Sequence, residues 1–286
     1  MLLVTVTLWA LNFSVSKYIL DHGFTPLTYS ATRYGVAALI FLGIVLAWEG
    51  TLRVHRRDLG IVVAAVALLL TNQLSFVFAL DLSTATTVAL LFGTLPIFTA
   101  LIARLVGVEQ LGNRFWIAAA LSFGGVVLVT AGSDGGLSGN LLGNVLAVLG
   151  AATWGGYSVA IAPLMQRYSP FRLSAIFLLA VFLALLVLAW AQLGEQEWDL
   201  GPQVWALFAF ATLGPLVLTN LLWFTAIDQV GPSRAALFAN LQPFLAAIIA
   251  LVLLSEELTM LQVAGGLAIA AGIVFSRRSQ PPGEPT

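Results

Sequence analysis

The sequence predicts an all-α membrane protein of ten transmembrane helices, arranged as two inverted five-helix repeats around a central cavity, with both termini on the cytoplasmic side. Three observations carry this prediction. The 286 residues are 60% hydrophobic and 9% charged, against about 25% charged in a soluble domain, so hydrocarbon must solvate most of the chain. Pro96-Ile97-Phe98 and Pro243-Phe244-Leu245 lie 147 residues apart, and each precedes a glutamate at the same distance, Glu109 and Glu256. Ten of the 12 Lys and Arg residues fall in alternate loops.

A crossing helix needs about 20 apolar residues, which places spans at 3–20, 27–48, 59–80, 84–105, 114–131, 140–162, 172–193, 203–225, 233–254 and 259–276. The breakers His22-Gly23, Glu49-Gly50, Gly132 to Gly139, Gly194 to Gly201 and Gly231-Pro232 fall between them. Span 1 opens at Met1-Leu2-Leu3 with no basic stretch ahead and is expected to be a retained span rather than a cleaved leader. Its Thr5, Trp9, Asn12 and Ser16 recur every three or four positions and share one face. Span 2 follows Pro26, carries Arg33 and ends at Trp48; span 3 carries Thr71, Asn72, Gln73 and Ser75; span 4 carries Pro96, and span 5 Gly124-Gly125.

The second half repeats this order. Leu8-Trp9-Ala10 recurs as Thr153-Trp154-Gly155 in span 6, ahead of Tyr157, and span 7 runs from Arg172 to the breaker at Gly194. In span 8, Thr219-Asn220 answers Thr71-Asn72, and Ala226-Ile227-Asp228 answers Ala79-Leu80-Asp81. Span 9 carries Asn240 and Gln242 directly before Pro243, and Ala271-Gly272-Ile273 in span 10 answers Gly124-Gly125-Val126. A nearly constant offset of 145 to 148 over five pairs of spans indicates duplication. Repeats of 1–137 and 138–278 follow, with a disordered cytoplasmic tail at 279–286 marked by Pro281-Pro282-Gly283.

Orientation comes from the basic loops. Arg53, Arg56, Arg57, Arg104, Arg114, Arg167, Arg172, Arg234, Arg277 and Arg278 all follow even-numbered spans, whereas the opposite loops hold only acids such as Asp21, Asp81 and Glu256. The even-numbered loops are therefore cytoplasmic, and five spans per unit turn one repeat upside down relative to the other.

Polar groups at mid-span cost several kcal/mol unless bonded, so Asn12, Asn72, Gln73, Asn220, Asn240 and Gln242 either bond across helices or line a wet cavity. Their clustering at matched positions of both halves favours the cavity. Pro96 and Pro243 each remove a helix hydrogen bond and predict kinked or broken helices that act as hinges; Pro215, nearer the start of its span, reads as an inert kink. Trp9, Trp154, Trp223 and Tyr157 either pack between helices or offer ring faces with a polar tip to a substrate. Trp48, Trp116, Trp190, Trp198 and Trp205 lie near span ends and read as interfacial belt. Lys17 and Arg33, the basic residues inside spans, either snorkel to the outer surface or meet a gate acid, Asp21 or Asp81, or a substrate carboxylate.

These motifs carry a resemblance. The run Trp9-Ala10-Leu11-Asn12-Phe13 with Ser16-Lys17, then Pro26 with Arg33, then the stretch into Pro96-Ile97-Phe98-Thr99 ending at Glu109, resembles the ten-helix EamA branch of the drug/metabolite transporter superfamily. Trp154, Pro243 and Glu256 repeat it in the second half. The resemblance covers essentially the whole chain. It implies an inner-membrane carrier, in most cases an exporter of amino acids and related metabolites, with a central cavity lined by spans 1, 3, 4, 6, 8 and 9. The second half has no counterpart of Lys17 or Arg33, so a symmetric role for those charges is not implied.

Other classes fit poorly. The chain has no Cys, and His22 and His55 fall in loops, which leaves an intramembrane enzyme without a nucleophile, a paired acid or a metal motif. No acid lies deep in a span, so a proton relay of buried carboxylates is not expected, and no basic cluster suits a phosphorylated substrate. The expected function is a monomeric carrier in the cell inner membrane, exporting small zwitterionic metabolites by alternating access in a uniport-like manner, with no cofactor, metal or nucleic-acid partner. Amino acids with aromatic or apolar side chains lead, and a multidrug or other metabolite exporter is the alternative.

Overall fold

The computed structural model describes residues 1–131, 140–245, 248 and 259–277. They form α1 Leu2–Asp21, α2 Pro26–Trp48, α3 Leu59–Leu82, α4 Ala85–Phe92, α5 Leu95–Leu105, α6 Asn113–Ala131, α7 Leu141–Met165, α8 Pro170–Leu188, α9 Trp190–Glu195, α10 Gly201–Thr212, α11 Thr219–Val230, α12 Pro232–Ala239 and α13 Met260–Arg277. A 3-10 turn, Arg56–Asp58, leads into α3, and a wide π turn, Leu213–Leu218, joins α10 to α11. Among the described residues there is no strand, and eight segments are long and apolar enough to cross a membrane. These eight correspond to the first eight expected spans. The stretch Met260–Ser276 is a shorter apolar helix, and residues 242–245 begin another helix beyond α12. The remainder of the ninth expected span, Glu256, the boundary at 137/138 and the tail 279–286 lie outside the described residues.

Neither proline of the repeated motif kinks a continuous helix; each chain segment breaks ahead of it. A proline ring collides with the carbonyl four residues back, which is Phe92 for Pro96 and Ala239 for Pro243, and these are the last residues of α4 and α12. The intervening pairs make tight turns: Gly93 N and Thr94 N donate to Leu90 O (2.8 Å) and Leu91 O (3.1 Å), and Asn240 N and Leu241 N to Leu237 O (3.3 Å) and Phe238 O (3.0 Å). Helix then resumes with the proline as second residue in both halves. There its missing N–H costs nothing, because the first four N–H groups of a helix have no partner within it.

Two expected spans are divided further. The seventh stops at Leu188, and α9 begins after Ala189, at Trp190. The side chains beyond that stop cap α2: Gln192 Oε1 accepts from Leu27 N (2.9 Å) and Gln196 Oε1 from Thr25 N (2.9 Å), taking up N–H groups that a helix start leaves open. The eighth span widens around Pro215 into the π turn.

The broadest helix contacts are α6 with α13, α3 with α7, and α2 with α8. Glycine sets the first. A Cβ on Gly125 would stand 2.6 Å from Gly265 O, one on Gly265 2.5 Å from Gly125 O, and one on Gly272 2.7 Å from Ala118 O. Such backbone approach is how membrane helices gain dispersion energy where lipid gives no hydrophobic drive. At one end of the bundle Arg172 pairs with Glu49 (2.7 Å), and Arg167 with Asp58, which also accepts from Tyr168 Oη (2.6 Å).

Candidate functional site

The broken helices converge on a cavity of about 90 Å³. Its polar residues are Asn12, Arg33, Asn72, Gln73 and Gln242. Its aromatic wall is Trp9, Phe13, Tyr34, Phe76, Phe92 and Trp154, with Leu95, Pro215 and Leu216 closing it. In span terms the lining comes from 1, 3, 4, 6, 8 and 9, with span 2 added through Arg33 and Tyr34.

Arg33 does not snorkel; it is 3% exposed. Its Nε and Nη2 donate to Ala211 O (3.1 and 2.8 Å), Nη2 also reaches Asn12 Oδ1 (3.3 Å), and the guanidinium lies 5.6 Å from the Tyr29 ring centroid. The arrangement follows from Pro215. A proline has no N–H for the carbonyl four residues before it, which is Ala211, and Arg33 donates to that carbonyl instead. The proline read as inert thus helps build the site. Lys17 takes a different place: its Nζ sits 3.0 Å from Asp21 Oδ1 in an exposed i, i+4 pair, outside the cavity lining.

Three tryptophans form one cluster. Trp9 lies 5.3 Å from Trp154, edge to face, and 4.9 Å from Trp223. Its Nε1 donates to Thr219 Oγ1 (3.0 Å) and Pro215 O (3.2 Å), which ties α1 to the π turn. Trp223 is fully buried and donates to Ser158 Oγ (3.1 Å), so it backs the wall. Trp154 lines the cavity, yet its buried Nε1 has no partner among the described residues.

The remaining polar candidates divide. Asn72 Nδ2 donates to Gly150 O (2.9 Å) and Gln73 Nε2 to Ser30 Oγ (2.9 Å), holding both amides at the lining. Asn220 donates to Ser174 Oγ (2.8 Å) and Asn240 to Ser122 Oγ (3.0 Å); these act as interhelical bonds behind the cavity. Tyr157 is buried behind Trp154, 5.4 Å between centroids, with its hydroxyl unpartnered among the described residues. Pro96 and Pro243 stand beside the lining residues Leu95 and Gln242. The sequence offers no role for Tyr34, Phe76 and Phe92, which line the cavity, and the kink at Pro215 is the available signal for that residue.

A bundle of membrane-length helices, broken in mid-chain around a polar and aromatic-walled cavity, has the build of a membrane carrier for small molecules. The EamA-like transporter family matches at residues 1–131 and 141–278, and the chain belongs to that family. It is a transporter. It is similar to the uncharacterized transporter YyaM of Bacillus subtilis, 26% identical, with 92% of this chain and 88% of that one covered. An uncharacterized transporter of Archaeoglobus fulgidus is 24% identical over 98% of this chain and 97% of its own. The uncharacterized inner membrane transporter YedA of Escherichia coli is 26% identical over 66% of this chain and 60% of its own. A protein known from a crystal structure shares the fold, with TM-score 0.76 at 16% identity, over 97% of this chain and 99% of that one.

Proposed function

We propose that this transporter exports small zwitterionic metabolites, first among them amino acids with aromatic or apolar side chains, from the cytoplasm across the cell inner membrane. The observation that carries the reading is the cavity itself. Trp9, Trp154 and Phe92 give a side chain apolar faces, Asn72, Gln73 and Gln242 give its polar end hydrogen bonds, and Arg33 stands ready for its carboxylate. Ten spans in two inverted repeats, with both termini cytoplasmic, supply two equivalent packings that exchange in alternating access. The matched breaks before Pro96 and Pro243 support this duplication and a hinge role for the two prolines. Among the described residues no acid lines the cavity, which supports uniport-like transport rather than proton coupling through a buried carboxylate.

Counterflow in proteoliposomes tests the reading, with unlabelled amino acids inside, labelled phenylalanine outside, and a pH gradient present or absent. Accumulation driven by several amino acids and indifferent to the gradient is expected, with loss in a correctly inserted Trp9→Ala, Trp154→Ala double variant. No accumulation with any amino acid removes this substrate class and leaves drugs or other metabolites as the cargo.

A further inference from the structure

We infer that the cavity recognises organic monocarboxylates as a class, docking the anionic head at Arg33 and an apolar body against Trp9 and Trp154, with no requirement for an amino group. This rests on the cavity being the substrate site and narrows what that site selects.

The argument is one of charge. A guanidinium stays protonated in proteins, and Arg33 is 3% exposed. Among the described residues its hydrogen-bond partners are neutral, namely Ala211 O and Asn12 Oδ1. The described ion pairs use Lys17, Arg167 and Arg172, and the described lining residues include neither Asp nor Glu. A buried charge without a counter-ion is costly, and more so within a membrane. Carbonyl dipoles offset part of that cost, and an arriving anion offsets the rest. One cation matches one negative charge, so a second carboxylate on the ligand would stay unpaired.

The hydrogen-bond inventory points the same way. Trp154 Nε1 is a buried donor at the cavity wall with no acceptor among the described residues, and a ligand oxygen would satisfy it. An ammonium group finds the opposite situation. Asn12 Oδ1 already accepts from Ser16 Oγ and Arg33, leaving the carbonyl oxygens of Asn72, Gln73 and Gln242 and the ring faces, with no negative charge among the described residues. Those groups tolerate the amino group of a zwitterion without holding it, and repel nothing in a ligand that lacks it.

Four matched probes test this on the purified transporter, read by tryptophan fluorescence titration and by ligand-induced thermal shift: phenylalanine, 3-phenylpropanoate, 3-phenylpropanamide and phenethylamine. The two carboxylates are expected to bind within a few-fold of each other. The neutral amide should bind roughly tenfold more weakly or worse, the loss of one charge-assisted contact, and the amine more weakly still. Arg33→Lys should keep the order at reduced affinity, and Arg33→Gln should erase it. The inference is overturned if the amide or the amine binds as tightly as 3-phenylpropanoate, if no probe binds, or if a monodisperse Arg33→Gln protein keeps the preference. Should that variant fail to fold, the probe order on the parent protein decides. A carboxylate preference with no amino acid counterflow would sink the amino acid reading alone; counterflow with equal competition by the amide would sink only the carboxylate requirement.

Discussion

Substituting Gly265 by alanine should loosen the α6–α13 pair by an amount that can be worked from the backbone. The new Cβ would stand 2.5 Å from Gly125 O and 2.8 Å from Val129 N, whereas ordinary contact begins near 3.4 Å. The two backbones must therefore part by about 0.9 Å, the difference between 3.4 and 2.5. A third obstacle, Val129 Cγ2 at 2.8 Å, belongs to a side chain stiff at χ1, and overpacking of this kind costs about 1–3 kcal/mol. Alanine's better helix propensity returns up to about 1 kcal/mol, which confuses a comparison with the parent. Gly124 removes the confusion. A Cβ there meets nothing within 4 Å, so Gly124→Ala carries the same propensity gain without the clash. Fluorescence-detected size exclusion after stepwise heating in mild detergent should place Gly265→Ala several degrees below Gly124→Ala. Equal melting of the two variants, or a more stable Gly265→Ala, would refute the close seam.

Gln196→Ala removes the acceptor for Thr25 N and Thr25 Oγ1 and the donor to Gly23 O; a loss of about 1–3 kcal/mol is expected, with faster hydrogen exchange at the start of α2, and unchanged exchange there would contradict the capping role. Trp9→Phe keeps a ring beside Trp154 and Trp223 but loses the bonds to Thr219 and Pro215; about 1 kcal/mol, or roughly fivefold in phenylalanine counterflow, should disappear, and a parental rate would count against this anchor. Burial holds the Glu109 carboxyl above the ordinary carboxylate range, against the hydrogen bond from Ser233 N and the charge of Arg234. The folded protein then binds that proton more tightly than the unfolded chain, so stability falls as pH rises from the ordinary glutamate value through the raised one. Glu109→Gln should flatten the dependence of melting temperature on pH in that window; parallel slopes in the two proteins would show that Glu109 contributes nothing to it.

Hydropathy alone located the eight membrane-length segments among the described residues, because burial in hydrocarbon constrains every residue along a span. The repeated proline motif located the two breaks to within three residues, because a proline's conflict with the carbonyl four positions back is local. What sequence could not supply is whatever depends on partners far along the chain. The stop at Leu188 reflects Gln192 and Gln196 reaching the start of α2, some 165 and 171 residues earlier. Asn220 and Asn240 share their type and depth with Asn72, yet Ser174 and Ser122 take them away from the cavity. Composition and spacing are identical for an amide that lines a cavity and one that fastens two helices; only the neighbour decides. The same holds for Lys17 and Arg33, equal in charge and both inside the expected spans. One finds Asp21 a turn away, and the other finds a carbonyl 178 residues distant.

That last contact makes the chemistry of one helix answerable to the backbone of another. Ala211 offers a free carbonyl because residue 215 is an imino acid, and the guanidinium is held at the cavity because that carbonyl is free. Restoring an N–H at 215 would give the carbonyl a competing suitor within its own helix. The charge at the cavity would then be re-aimed by a change in the backbone of another helix.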